Sequence, residues 1–173
     1  ARIEALERAW GIIPDDLELG LKLAVRLGDA GRGDHRRALL TELIPRFAAE
    51  KRYAGLEEAA LEFAEHKDVE GLARLVATLP VIAAQGAFPE CAQLLDIAFP
   101  VVAAGSRAAE TLEPLRALAV KAVERDGPNA ADPFRTAIVE ALRQGPGQTL
   151  PDPKPVFQLS AVEDGMKPLL PAL

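Results

Sequence analysis

Cysteine, methionine, tryptophan and tyrosine each occur once in this 173-residue chain, and aromatic residues make up only 5% of it. The single Cys91 excludes an intrachain disulfide and any cysteine-rich zinc site. So few aromatics leave Leu, Ala and Val to build the core. No run of about 18 apolar residues occurs, which argues against a membrane-spanning helix. The start shows no basic segment followed by an apolar stretch, the mark of a signal peptide. The chain opens on Ala1 rather than Met, so a processed or excised chain is expected, with any targeting segment lost from it. Strand signals are missing as well: alternating β-branched runs are absent, and Ala, Leu, Glu and Arg dominate. A net charge of −6 disfavours non-specific nucleic-acid binding.

What is present is 49% apolar and 27% charged, the composition of a soluble globular chain of one-domain size. The charge is unevenly spread. Residues 1–70 carry 11 Lys/Arg against 15 Asp/Glu, residues 71–105 one Arg against two acids, and residues 106–144 six against six. From Leu75 to Pro89 there is no charge at all. A helix that is apolar on most sides is buried on most sides, so a central element between amphipathic neighbours is expected. Residues 145–173 differ in kind, with six prolines and little helical periodicity. They read as a Pro-rich extended tail or linker after a helical domain over 1–144. Val156, Phe157, Leu159, Val162, Met166, Leu169 and Leu170 are too many apolar side chains for a solvated spacer. Part of the tail is expected to pack on the body or on a second copy, which would make a homodimer.

Helical periodicity divides the body into about eight helices, over 2–10, 15–28, 34–51, 55–66, 69–84, 88–104, 107–125 and 132–144. Leu56, Ala59, Ala60, Phe63 and Ala64 mark one apolar face, with Glu57, Glu58, Glu62 and Glu65 expected to point away. Phe134, Ala137, Ile138, Ala141 and Leu142 mark another, with Asp132 as the expected N-cap and Pro133 at the first helical position. Asp34 and Ser106 are the expected caps of two more. Short connections make sequential helices antiparallel neighbours. The fold class is therefore all-α, built of antiparallel helical hairpins stacked as a short α-solenoid or gathered as an irregular bundle.

Two consecutive hairpins look alike at a spacing of 35 residues. Leu40 matches Leu75, Ile44 matches Leu79, Pro45 matches Pro80 and Phe47 matches Ile82; across the turn Tyr53 matches Phe88 and Ala60 matches Leu95. The words Leu43-Ile44-Pro45-Arg46-Phe47-Ala48-Ala49 and Leu79-Pro80-Val81-Ile82-Ala83-Ala84 carry the likeness. Over residues 34–144 this organisation resembles the tetratricopeptide class, and more loosely other α-solenoids. Ala59 and Phe63 satisfy that family's small–large spacing on the second helix, whereas Leu94 and Ala98 reverse it and the first-helix Trp, Leu-Gly and Tyr pattern is not present. The resemblance implies a concave surface that binds polypeptide. Pro45, Pro80, Pro100 and Pro114 fall within apparent helices, where an interior proline kinks the axis; Pro114 can instead start a helix after a separate turn over 107–112.

Candidate chemistry is sparse. Glu58, Glu62 and His66 share one stripe at i, i+4 spacing, a pattern able to hold a divalent metal but equally that of an acidic exposed face. No metal or cofactor is expected. His35 stands beside Arg36 and Arg37, and no Ser, His and Asp set or Cys and His pair matches a nucleophile motif. Cys91 reads as a small buried hydrophobe. Arg32-Gly33-Asp34 spells an adhesion tripeptide, but a turn and a helix start account for it. Without a catalytic constellation, the chain reads as a non-enzymatic, cytoplasmic protein-interaction or scaffold domain of a larger protein, with a protein or peptide partner and neither nucleic acid nor membrane. Arg46, Val81 and Phe157 are the candidate partner-binding residues. The rival is a small-molecule sensor with an apolar pocket among helices 69–104; a regulatory domain appended to an enzyme is a third reading.

Overall fold

Breakers and caps set the helix boundaries close to where periodicity places them. The computed structural model describes residues 2–145. Among them are eight α-helices and no strand: α1 (Ile3–Ile12), α2 (Leu17–Asp29), α3 (Gly33–Ala49), α4 (Tyr53–Glu65), α5 (Val69–Ala84), α6 (Phe88–Ala104), α7 (Leu112–Asp126) and α8 (Asp132–Arg143). A 3₁₀ turn at Ala108–Thr111 precedes α7, so Pro114 falls in that helix's first turn, where its missing N–H costs no intrahelical bond. A second, Pro128–Ala131, leads into α8. Pro45, Pro80 and Pro100 lie inside α3, α5 and α6, which run on through them. Three expected caps are displaced. Asp34 and Asp132 sit in the first turns of α3 and α8, one residue or more past the cap, because Gly33 and the 3₁₀ turn start those helices earlier. Ser106 ends α6 rather than starting a helix, with φ +58°.

Four of the eight helices, α2, α3, α4 and α6, close at their C-terminal ends in one way. The N–H of Gly31, Lys51, Lys67 and Ser106 donates to the carbonyl three residues back, and the following N–H, of Arg32, Arg52, Asp68 and Arg107, to the carbonyl five back. This is the Schellman arrangement, which requires a left-handed residue and satisfies orphan carbonyls. Gly31 takes it without strain at φ +71°, whereas Lys51, Lys67 and Ser106 take it at roughly 1 kcal/mol each. The deep acceptors of the four turns, Leu27, Phe47, Phe63 and Val102, are all core residues.

Packing is sequential. From α2 onward each helix lies against the next and the next but one, except that α6 skips α7: α2 on α3 and α4, α3 on α4 and α5, α4 on α5 and α6, α5 on α6 and α7, α6 on α8, and α7 on α8. One apolar cluster runs from Leu17 to Ala141. Of the matched pairs, Leu40 and Leu75, Ile44 and Leu79, Phe47 and Ile82, and Ala60 and Leu95 are buried and Tyr53 and Phe88 half-buried, whereas Pro45 is exposed and Pro80 half-buried. Leu94 and Cys91 are buried as expected. Two glutamines satisfy exposed helix ends: Gln85 donates to Ala48 O and accepts from Tyr53 Oη, and Gln144 donates to Ala103 O and accepts from Ala108 N–H. No described helix is long and apolar enough to cross a membrane.

Candidate functional site

Helix α5, uncharged from Leu75 to its end, is covered by α3, α4, α6 and α7, which meets the expectation of a central element. It nonetheless keeps one strip open. Ala77, Val81 and Ala84, at i, i+4 and i+7, are exposed, with Val81 59% accessible. The charged residues of α5 are confined to its first turns, where Arg74 and Glu70 pair at 2.6 Å. The neighbouring helix α7 adds exposed Ala117, Val120 and Val123, and α3 on the other side adds Ala38, Pro45 and Ala49. The row α3–α5–α7 therefore presents small and apolar side chains, uncharged along the second half of α5 and interspersed with exposed Glu42 on α3 and Glu113, Arg116 and Glu124 on α7.

Of the three candidate partner-binding residues, Val81 lies in this strip. Arg46 is half-buried on α3 and engaged within the chain. It donates to Pro14 O at 2.7 Å and to Asp15 Oδ1 at 2.9 Å, and its guanidinium lies over the Trp10 ring, 5.8 Å from the centroid. It ties the α1–α2 turn to α3. Phe157, with the rest of the tail beyond residue 145, lies outside the described residues.

A cluster that periodicity missed sits at the α2–α3 and α4–α5 turns. Arg36 is 4% exposed and donates to Asp68 Oδ2 at 3.0 Å; Arg37 Nε donates to both Asp68 oxygens at 2.9 Å, and its Nη1 to Glu70 Oε2 at 3.2 Å. Asp68 also accepts the Gly71 N–H at 3.0 Å, which caps α5. Burial pushes the Asp68 carboxyl up, but the hydrogen bonds from Arg37, Gly71 and Arg36 outweigh it and hold the group below its ordinary value. Glu62, expected to point away, is instead buried, because α4 is covered by α2 as well as by its hairpin partner. Burial pushes its carboxyl up, while His66 and Arg36 oppose the shift. His66 Nε2 lies 3.1 Å from Glu62 Oε1 but without hydrogen-bonding geometry, leaving that oxygen and Arg36 Nε without partners. A side chain at Gly28 would collide with Glu62 and His66, so bare backbone there makes room for the pair. The sequence signals were Gly28 inside a helix and the arginine pair before Asp68.

Glu58 remains exposed, so the Glu58–Glu62–His66 stripe is split between solvent and core. Among the described residues no three His, Cys, Asp or Glu side chains are grouped to hold a metal. Arg32 pairs with Glu7 at 3.2 Å. Cys91 Sγ donates to Leu79 O at 3.4 Å, and burial with the nearby Glu90 charge pushes the thiol up to about 12. The interface of α5 and α6, where a sensor's pocket was expected, is filled by Leu72, Leu75, Leu79, Leu94 and Leu95. Compared with protein-family profiles, curated proteins and solved structures, the chain matches none.

Proposed function

We propose that this chain is a non-enzymatic protein-interaction or scaffold domain of stacked, tetratricopeptide-like helical hairpins, which binds polypeptide across the outer row α3–α5–α7. The observation that carries the reading is Val81, 59% exposed on a helix without charge from Leu75 to Ala84. Uncharged strips on an otherwise charged surface mark partner contacts. Sequential packing and the repeated turn support the stacked arrangement. So does the last hairpin. With helix starts aligned, Arg116, Asp126, Thr136 and Arg143 on α7 and α8 replace Ala73, Ala83, Ala92 and Phe99 of α5 and α6. A stack of repeats needs such a polar outer edge at its end. A cytoplasmic setting suits a chain whose one cysteine is a buried, protonated thiol.

The test is selection from a displayed random-peptide library on the full chain. Enriched peptides should bind the parent and lose at least about tenfold affinity, roughly 1.4 kcal/mol, on Val81→Asp, with helicity and Tm unchanged. Equal binding to both proteins, or no enriched peptide, would refute the reading. A rise in Tm with an apolar small molecule and with no peptide would favour the sensor instead.

A further inference from the structure

An apolar cleft of about 330 Å³ opens between α6, α7 and α8. Its walls are Phe88, Pro89 and Ala92 from α6, Ala122 from α7, and Pro133 and Phe134 from α8. At its edge Arg125 lies over the Phe88 ring, 5.2 Å from the centroid, and donates to Gly86 O at 2.7 Å. Asp126 stands beside it, 3.5 Å away, and both side chains are about half exposed (51% and 52%). The cleft thus combines aromatic and proline walls with one cation and one anion at the mouth. Aromatic-lined grooves of this chemistry receive proline-rich extended segments, whose backbone is already ordered before binding.

The chain supplies such a segment nearby. Pro133 and Phe134 are at the start of the 12-residue helix α8, and Gly145 follows its other end, about 18 Å away at 1.5 Å per residue. Six residues beyond Gly145 begins Pro151-Asp152-Pro153-Lys154-Pro155-Val156-Phe157. Extended chain covers about 3.3–3.6 Å per residue, so the intervening residues suffice to return along α8. Asp152 and Lys154 have the signs that complement Arg125 and Asp126, and Val156 and Phe157 are the side chains an apolar cleft would cover.

We propose that residues 151–157 of the same chain occupy the cleft between α6, α7 and α8, Phe157 against Phe88 and Pro133. The segment then clasps the last hairpin onto α6. This stands independently of the strip on α5 and of what binds there.

The experiment is hydrogen exchange in the full chain, read at the amides of Val156, Phe157, Gln158 and Leu159. Protection of at least about tenfold over the unstructured rate, unchanged by protein concentration, is expected. It should be lost in Phe157→Ala and in Ala92→Arg, which fills the cleft from α6. Should Ala92→Arg disturb folding, the surface pair Arg125→Glu with Asp126→Lys serves instead. It should weaken protection, and Asp152→Lys with Lys154→Asp should restore it. Unprotected amides in the parent chain overturn the proposal. So does protection that grows with concentration, which makes a second copy the occupant, and so does protection indifferent to every cleft variant.

Discussion

Gly71→Ala isolates the contact by which α4 meets α5. Gly71 is the third residue of α5 and has ordinary helical backbone, so alanine there would by propensity alone gain up to about 1 kcal/mol. Packing opposes this. A Cβ on Gly71 would stand 2.5 Å from Phe63 Cδ1 and 2.7 Å from its Cζ, with Cε1 nearer still. Phe63 is fully buried and its backbone carbonyl anchors the α4–α5 turn, so neither ring nor helix can retreat cheaply. Overpacking of this kind costs about 1–3 kcal/mol, and three ring atoms in conflict place it in the upper half of that range. The expected net loss is about 1–2 kcal/mol, read as a lower urea midpoint at unchanged slope. Gly11→Ala is the control, since its Cβ would meet nothing within 4 Å; it should be neutral or slightly stabilising. Phe63→Leu combined with Gly71→Ala should cost less than the sum of the two single changes, because the smaller side chain relieves the conflict. Gly71→Ala as stable as the parent, or strict additivity in the pair, would refute the reasoning. Gly55 faces Phe47 in the same way and should behave alike.

Three more expectations concern the buried polar groups. Asp68→Ala removes the cap of α5 and leaves Arg36 buried without its partner, so a loss of about 3–5 kcal/mol is expected by denaturant titration. Asp68's depressed carboxyl stabilises the fold above its ordinary value of 3.8, and that contribution is lost as pH falls through the lower folded value, so the Asp68→Ala deficit should shrink in acid. Glu62 carries the opposite sign: its raised carboxyl favours the fold below 4.5 and ceases to as pH rises through the folded value. Glu62→Gln should therefore raise Tm near neutrality and lose that advantage below pH 4.5; an equal gain at every pH would contradict the assignment. Cys91, its thiol pushed up to about 12 and 0% exposed, should resist a thiol reagent at pH 8 until denaturant opens the fold. Rapid labelling of the native chain would show that α5 and α6 part readily.

The all-α class and the helix boundaries follow from local chemistry. Spacing of apolar side chains decides which face a helix buries, and glycine and proline limit where it can continue, so Leu56, Ala59, Ala60 and Phe63 could be placed as core from order alone. The apolar pairs matched between α3 and α5, Leu40 with Leu75, Ile44 with Leu79 and Phe47 with Ile82, were legible as core for the same reason, and all six are buried. Ser106 shows where local signals mislead. A serine before a polar stretch suits an N-cap, yet the carbonyls left at the end of α6 recruited it into a left-handed turn.

Tertiary structure alone decided what periodicity within a helix cannot contain. Glu62 looked like one acid on an exposed face, and it is buried because α2 covers that side of α4 and Gly28 leaves space for its carboxyl. Asp68 and the arginine pair lie more than thirty residues apart, and only the stacking of one turn on the next makes them one charged unit. Val81 belongs to an uncharged run that the sequence marked as buried on most sides, although Val81 itself was read as a partner-binding candidate. It stands in solvent because the neighbours of α5 cover every side of that helix but one. A helix's own pattern sets how much of its surface can be buried; which part is left open depends on where its neighbours end.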